Sequence, residues 1–424
     1  MESKIIINDI FYTIRHLLAT DILSTTYRVG NAFTRKRKLG FSNLFLFLLR
    51  QYEKSLPINI LDFLEEFPQC GISSISKQAI SKARKGIHSQ AFAELLKISQ
   101  SAFYQHSKRQ STWNGFHIFA IDGTSLQMPQ TKENLETFGS TSNQSGGRFA
   151  MAHASLLYDT LNDIIIDAQL HTCKYDERDA AIKHLKTSSD LPLPKNHIFV
   201  LDRGYPCIKL CREFQDPKRL FVMRVKNNTA SISKMEQRDG LVTYGSNRKK
   251  EERLCLRALR IPLNSSEEEY LLTNIFDTSI TWEMFRELYF LRWPIETKYW
   301  ELKHRFQIEN FTGHHPCSIH QDFYITLFLS NLASIIKRDT DRIIAEKTKD
   351  SKKEFYYQTN RGMVINRVKK YILRLLSSTR KKEKLWEQLF DACIKTRSQV
   401  RPNRTYERKA KHTRRRHHHN RKLC

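Results

Sequence analysis

The chain has few backbone breakers and no paired thiols. Its 424 residues include only 14 Gly and 11 Pro, a composition that can bury a core. The eight cysteines stand at 70, 173, 207, 211, 255, 317, 393 and 424, with no Cys-x-x-Cys pair. That scatter argues against a zinc ribbon and against a disulfide framework, and reads as free thiols in a reducing cytoplasm. Long apolar runs are missing as well. The most apolar, Phe41 to Leu49, has 9 residues, whereas a membrane-spanning helix needs about 20. The opening MESKIIINDIFYTIRHLL shows neither the apolar core nor the small-residue cleavage site of a signal peptide.

Acidic residues are in deficit. Against 71 Lys+Arg there are 44 Asp+Glu, a formal net charge of +27. Fields of that size draw polyanions, and with the membrane demoted the expected partner is nucleic acid. What the chain does have is material for a core. Hydrophobic residues make up 40% and aromatics 11%, which excludes wholesale disorder. At about 100–200 residues per domain the length suggests two to four domains.

The pattern is helical from the start to about residue 110. Phe41, Leu44, Phe45, Leu48 and Leu49 recur at helical spacing after the basic cluster Arg35-Lys36-Arg37-Lys38. Ser74 to Ala91, with Lys77, Lys82, Arg84 and Lys85, fits either a helix-turn-helix-like unit or an ordinary basic-faced helix pair. Near 115 the period changes. FHIFAI runs into Asp122-Gly123 as a strand followed by a turn, and AHASLLY (152–158), DIIIDAQL (163–170), HIFVL (197–201) and LFVMRV (220–225) read as further strands. DERDAAIKHL (176–185) looks helical, so the middle of the chain is α/β. Residues 226 to about 275 turn polar and then alternate, as a small antiparallel β insertion would. Helical signal resumes from Trp282 to about Phe311 and from Ile319 to Ile336, and Val364, Val368, Tyr371, Ile372 and Leu375 form a stripe on a later helix. From Lys395 onward the chain is a basic tail with Glu407 as its only acid.

Two carboxylates follow apolar strands, Asp122 in AIDGTSLQMP and Asp202 in VLDRGYP. Groups just past strand carboxyl ends line the crevice of an open α/β sheet. Carboxylates that must face a polyanion need a cation between, and Mg²⁺ suits oxygen donors from both sides. A third acid comes from the segment holding Tyr289, Arg292, Glu296 and Lys303. On one continuous helix, at about 100° per residue, these four fall within an arc of about 60°. Pro294 qualifies that geometry. If a helix begins there, only Glu296 and Lys303 are certain to share a face.

Tyr289-x2-Arg292-x3-Glu296-x6-Lys303 resembles the Tyr-Arg-Glu-Lys signature of the insertion-sequence-four (IS-four) family of DDE transposases. The surrounding YFLRWPIETKYWELKHRFQIENFTG is similar beyond those four positions, and IDGTSLQMP and LDRGYP resemble the two aspartate regions, in the same order. The resemblance runs from about Phe33 to Ala333. It implies a ribonuclease-H-like α/β core with a β insertion between helical N- and C-terminal regions. Asp122 would lie on its first strand, Asp202 after its fourth, and Glu296 on a later helix. The implied division is 1–110 for a helical DNA-binding region, 111–340 for the catalytic core and 341–424 for a helical region with the tail. Asp122, Asp202 and Glu296 would be catalytic and hold Mg²⁺, with Mn²⁺ as substitute. Tyr289, Arg292 and Lys303 would contact DNA, and Arg203 beside Asp202 is a further phosphate candidate. The implied partners are the element's double-stranded ends, a target duplex and a second protomer, in a bacterial cytoplasm at the nucleoid. Some relatives stack a flipped base on a tryptophan of the β insertion. Residues 226–275 contain no Trp, only Tyr244 and Tyr270.

Weaker signals read more blandly. His314, His315, Cys317 and His320 are ligand types without a second cluster for zinc, and Cys207 and Cys211 read as packing residues. Two other readings fit the basic composition: a noncatalytic DNA-binding relic, and a host nuclease of the same core.

Overall fold

The computed structural model describes residues 1–400 except 36, 52–53, 143–145, 217–218, 228, 230–231, 233–234, 246–252, 264–266, 350–354 and 378–381. Most of the basic tail, from 401 on, lies outside the described residues. These fall into two compact units, one of residues 1–108, 128–137 and 302 onward, the other of 109–127 and 138–301.

The first unit opens with α1 (Glu2–Ala19), α2 (Ile22–Tyr27), α3 (Phe41–Leu49), α4 (Leu56–Glu66), α5 (Lys77–Arg84) and α6 (Gln90–His106), and takes in most of α7 (Lys132–Phe138). Its apolar stripes do what their spacing predicts. Phe41, Leu44, Phe45, Leu48 and Leu49 are all buried. The basic stretch from 74 forms α5, capped by the Ser76 hydroxyl on the Ala79 N–H at 3.2 Å, and then α6. One of its cations faces inward, contrary to a wholly basic outer face. Arg84 is buried and donates to Thr312, the Ser318 carbonyl, Gln321 and Asp322 at 2.6–2.9 Å.

The second unit is built on a nine-stranded sheet of β1 (His117–Gln127), β2 (Ser140–Ser142), β3 (Arg148–Asp159), β4 (Ile164–Thr172), β5 (His197–Leu201), β6 (Leu220–Val225), β7 (Asp239–Tyr244), β8 (Leu254–Pro262) and β9 (Glu268–Thr273). Helices α8 (Glu177–Ser189), α9 (Ile208–Glu213), α10 (Trp282–Phe290) and α11 (Pro294–His304) follow or cross it. β1 is central, antiparallel to β3 and parallel to β5, and β5 is parallel to β6. Setting aside the three-residue β2, the strands β1, β3, β4 and β5 are the first to fourth of a ribonuclease-H-like sheet. The alternating residues of 226–275 form β7–β9, which are antiparallel to one another and join the same sheet through β9 and β6.

Side chains alternate across a strand, so parity decides what each face meets. Ile118, Ile198, Val200 and Val222 pack with Phe285, Leu288 and Tyr289 of α10. On the other face Phe119, Phe199, Phe214 and Phe221 make a chain of ring contacts with centroids 4.7–5.9 Å apart. Asp122 and Asp202 share the even parity of Ile118 and Ile198, so both point to the face that α10 covers.

The first unit resumes with α12 (Pro316–Thr348), α13 (Arg361–Ser377) and α14 (Lys382–Lys395), and with the ribbon β10 (Tyr356–Thr359) and β11 (Arg397–Val400). α12 is buried nearly all round over its first 21 residues, as befits a helix surrounded by α1, α6 and α13. The stripe Val364, Val368, Tyr371, Ile372 and Leu375 is buried on α13 as its spacing predicts.

Candidate active site

Asp122 lies inside a strand, where the sequence pattern suggested a turn. β1 continues to Gln127 because Gly123 and the residues after it keep pairing with β3, Gly123 opposite Ser155. The carboxylate accepts from the Gly123 N–H at 2.9 Å, and the Tyr299 hydroxyl donates to the Asp122 carbonyl at 2.6 Å. Burial drives the Asp122 carboxyl up to about 7. The Gly123 N–H and Arg292 oppose that rise, and the charges of Asp202 and Glu177 add to it. This is a half-buried carboxylate with too little positive charge beside it.

Asp202 directly follows β5 and accepts from the Tyr289 hydroxyl at 3.2 Å. Burial foremost, and then the Asp202 charge, hold the Tyr289 phenol protonated well above its usual range. Arg203, next in sequence, is exposed.

The helix predicted across 282–311 is broken. α10 ends at Phe290, residues 291–293 form a turn, and Pro294 opens α11. Proline is favoured at a first helical position, where its missing N–H has no partner to lose. Tyr289 and Glu296 therefore sit on different helices, and the shared arc of a single helix does not apply. Three of the four residues still converge. Arg292, in the turn, donates through Nη2 to Glu296 Oε1 at 2.6 Å, and its Nη1 stands 3.9 Å from Asp122 Oδ2. Its guanidinium also lies over the Tyr289 ring, 5.9 Å from the centroid. Lys303 is about two turns further along α11 from Glu296 and half-buried.

Several residues beside the site gave no signal in the reading of the sequence. His153 on β3, Tyr205 after β5 and Tyr299 on α11 are all at least nine-tenths buried near Asp122. In the sequence Glu177 is one acid of a helical stretch. The structure sets it by Gly123 and Gly204: a Cβ on those glycines would stand 3.2 Å and 3.5 Å from its two carboxylate oxygens. Burial lowers the His153 pKa, with Glu177 opposing. The run KYDERDAA, with three acids at a helix start, was the one available hint. In the β insertion the Tyr270 hydroxyl is spent on Glu268 at 2.9 Å. The exposed rings near the site are instead Phe290, Trp293 and Trp300.

The weaker candidates have structural partners. His315 Nδ1 accepts the Cys317 N–H at 3.2 Å at the start of α12, and the Cys317 thiol donates to the Ile87 carbonyl. Cys207 caps α9 through the Leu210 N–H, and Cys211 is buried, its thiol pushed up to about 12.

Among the described residues no helix is long and apolar enough to cross a membrane. No curated protein sequence matches the chain. A solved structure, the cryo-EM structure of a piggyBac transposase synaptic complex with hairpin DNA, is similar at 11% identity and a TM-score of 0.42. It covers 92% of this chain and 82% of its own. The family model of the transposase DDE domain matches residues 113–332. That span takes in Asp122, Asp202 and Glu296 and more than half of the residues, and by it the chain belongs to the transposase DDE domain family.

Proposed function

We propose that the chain is a DNA transposase of the insertion-sequence-four type. It cuts DNA at the ends of its element and joins those ends to a target in a Mg²⁺-dependent cut-and-paste reaction. The observation that carries this reading is the convergence of Asp122 and Asp202, from two adjacent parallel strands, with Glu296 through the guanidinium of Arg292.

Among the described residues, no three His, Cys, Asp or Glu side chains already meet as a metal cluster. The donor set nonetheless fits a hard divalent cation. All three acids offer oxygen, the ligand type that Mg²⁺ and Mn²⁺ select, and Asp122 is a half-buried carboxylate short of positive charge. Asp122, Asp202 and Glu296 would hold the metal, which supplies Lewis-acid activation of the attacking oxygen and stabilisation of the leaving 3′-oxygen.

The chain's own residues do the rest. Arg292 ties Glu296 toward Asp122 and carries positive charge that a scissile phosphate can share. The Tyr289 hydroxyl orients Asp202. Its phenol stays protonated, which suits a binding role rather than attack on phosphorus. Lys303 and Arg203 are assigned to phosphates flanking the cut. Residues 1–110 and 341–424 would hold the element's ends and a second protomer around the core at 111–340, since two ends must be cut together. The setting is a bacterial cytoplasm at the nucleoid.

The test uses purified protein, DNA carrying the ends that flank its gene, and Mg²⁺ or Mn²⁺, with wild type and Glu296→Gln side by side. Cleavage and joining that both vanish in the variant, with DNA affinity kept, are expected. Cleavage retained by Glu296→Gln sinks the assignment of the acid. Cleavage without joining in wild type identifies a nuclease, and binding with neither product identifies a relic.

A further inference from the structure

Within the first unit, the loop between α2 and α3 closes on the residues that follow α5. The Val29 N–H donates to the Gly86 carbonyl at 2.9 Å, and the His88 N–H to the Tyr27 carbonyl at 2.8 Å. A Cβ on Gly86 would stand 2.7 Å from that of Ala32 and 3.0 Å from the Phe33 ring, so glycine is what lets the loop lie this close. Phe33 itself is held at φ 62°, a left-handed conformation rare for a bulky residue. Its ring packs edge-on against Phe41, with centroids 5.5 Å apart.

Beside this contact lies a cavity of about 700 Å³, a size within the range of about 300–1,000 Å³ that ligand sites occupy. Phe33, Leu39, Ile75, Ala79 and Ala83 give it apolar walls. Arg35, Arg37, Lys38 and Lys82 line it too, and no Asp or Glu does. These four cations are exposed. Among the described residues none of them pairs with a carboxylate. A hollow lined by one sign of charge gathers counter-ions, and arginine with lysine suits phosphate, whose oxygens a guanidinium can hold two at a time. The apolar walls ask for more than phosphate. A duplex keeps its bases in the stack, whereas a nucleotide with its base free offers phosphate to the cations and a flat face to Phe33 and its aliphatic neighbours.

We propose that this cavity is a nucleotide site, with the phosphate among Arg35, Arg37, Lys38 and Lys82 and the base against the apolar walls. The nucleotide is supplied free or by an unpaired stretch of DNA. The proposal is independent of the acids at 122, 202 and 296, because a nucleotide binds here whether or not the chain cuts DNA.

The experiment follows the fluorescence anisotropy of N-methylanthraniloyl-dAMP titrated with the full chain, without metal. Wild type, the pair Arg35→Ala with Lys82→Ala, the pair Ala79→Leu with Ala83→Leu, and the control Lys77→Ala are compared, with circular dichroism to check folding. Saturable binding by wild type is expected. Removing the two cations should weaken it at least about tenfold, the effect of losing one hydrogen bond to a charged group. The leucine pair keeps every charge and fills the cavity, and should weaken binding as well. Lys77 is exposed on α5 but outside the cavity, and its variant binds as wild type. Should the leucine pair fail to fold, Ala79→Leu alone, at an exposed position, takes its place. No binding of the probe by wild type, or unchanged binding in the folded leucine variant, overturns the site and leaves a basic surface. An equal loss in Lys77→Ala does the same. Competition then separates the sources. Displacement by an unpaired oligonucleotide but not by a blunt duplex of equal phosphate number assigns the nucleotide to DNA, and displacement by neither assigns it to the free pool. Strand and duplex competing equally overturns the seat for a base.

Discussion

Arg292 and Glu296 are joined by a 2.6 Å hydrogen bond although Pro294 begins a new helix between them. The break lets Arg292 lie in a turn, where its guanidinium reaches Glu296 on one side and Asp122 on the other. A guanidinium holds two carboxylates at a fixed spacing because its donors form a rigid planar fork, whereas an ammonium is a compact point charge without that reach.

Arg292→Lys should therefore keep the charge and lose the bridge. The expected result is a folded protein whose end cleavage drops by roughly 10²-fold or more, the scale of losing one preorganised charge-stabilising donor. Cleavage rates at saturating DNA check it, and a rate within about threefold of wild type would show the fork to be dispensable.

Gly123 has no room for a side chain. An added Cβ meets the His153 ring and Glu177 at once, and overpacking of this kind costs about 1–3 kcal/mol. Gly123→Ala should lower the unfolding free energy by that amount, read as a lower denaturant midpoint with the slope unchanged. Unaltered stability would mean that His153 moves aside freely.

Lys303 is assigned to phosphate. Lys303→Ala should weaken binding to specific and nonspecific duplex alike and reduce the salt slope of binding by about 0.9. Measuring affinity at several salt concentrations separates that from a role in packing, which leaves the slope as it was.

Arg84 is buried with four partners on α12 and the residues before it. Removing it leaves Asp322, itself 5% exposed, as an uncompensated buried charge. Arg84→Ala should cost about 3–5 kcal/mol, and thermal melts would register it. A loss under about 1 kcal/mol would be the signature of a surface ion pair instead.

His320 titrates below the ordinary histidine range. Burial, helped by His88, lowers its pKa from 6.5 to about 4, so the folded chain binds this proton less well than the unfolded one. Stability from this group is full above about 6.5 and is lost as pH falls toward 4, by about 3 kcal/mol in all. Unfolding free energies from pH 7 to 4 should fall more steeply for wild type than for His320→Gln.

What the sequence alone determined is what depends on local order. Apolar periodicity placed the strands at 152–158, 163–170, 197–201 and 220–225 and the buried stripe of α13, because spacing along an element fixes which side chains share a face. The order of the three acidic motifs was legible for the same reason. Tertiary structure decided what lies far apart in the chain or depends on a missing side chain. Asp122-Gly123 looks like a turn in one dimension and is held as strand by pairing with β3. Arg84 looks like part of a basic surface until α12 supplies its carboxylate. Glu177 is one acid in a charged helix start until two glycines, 54 and 27 residues away, leave the space through which it reaches both aspartate strands.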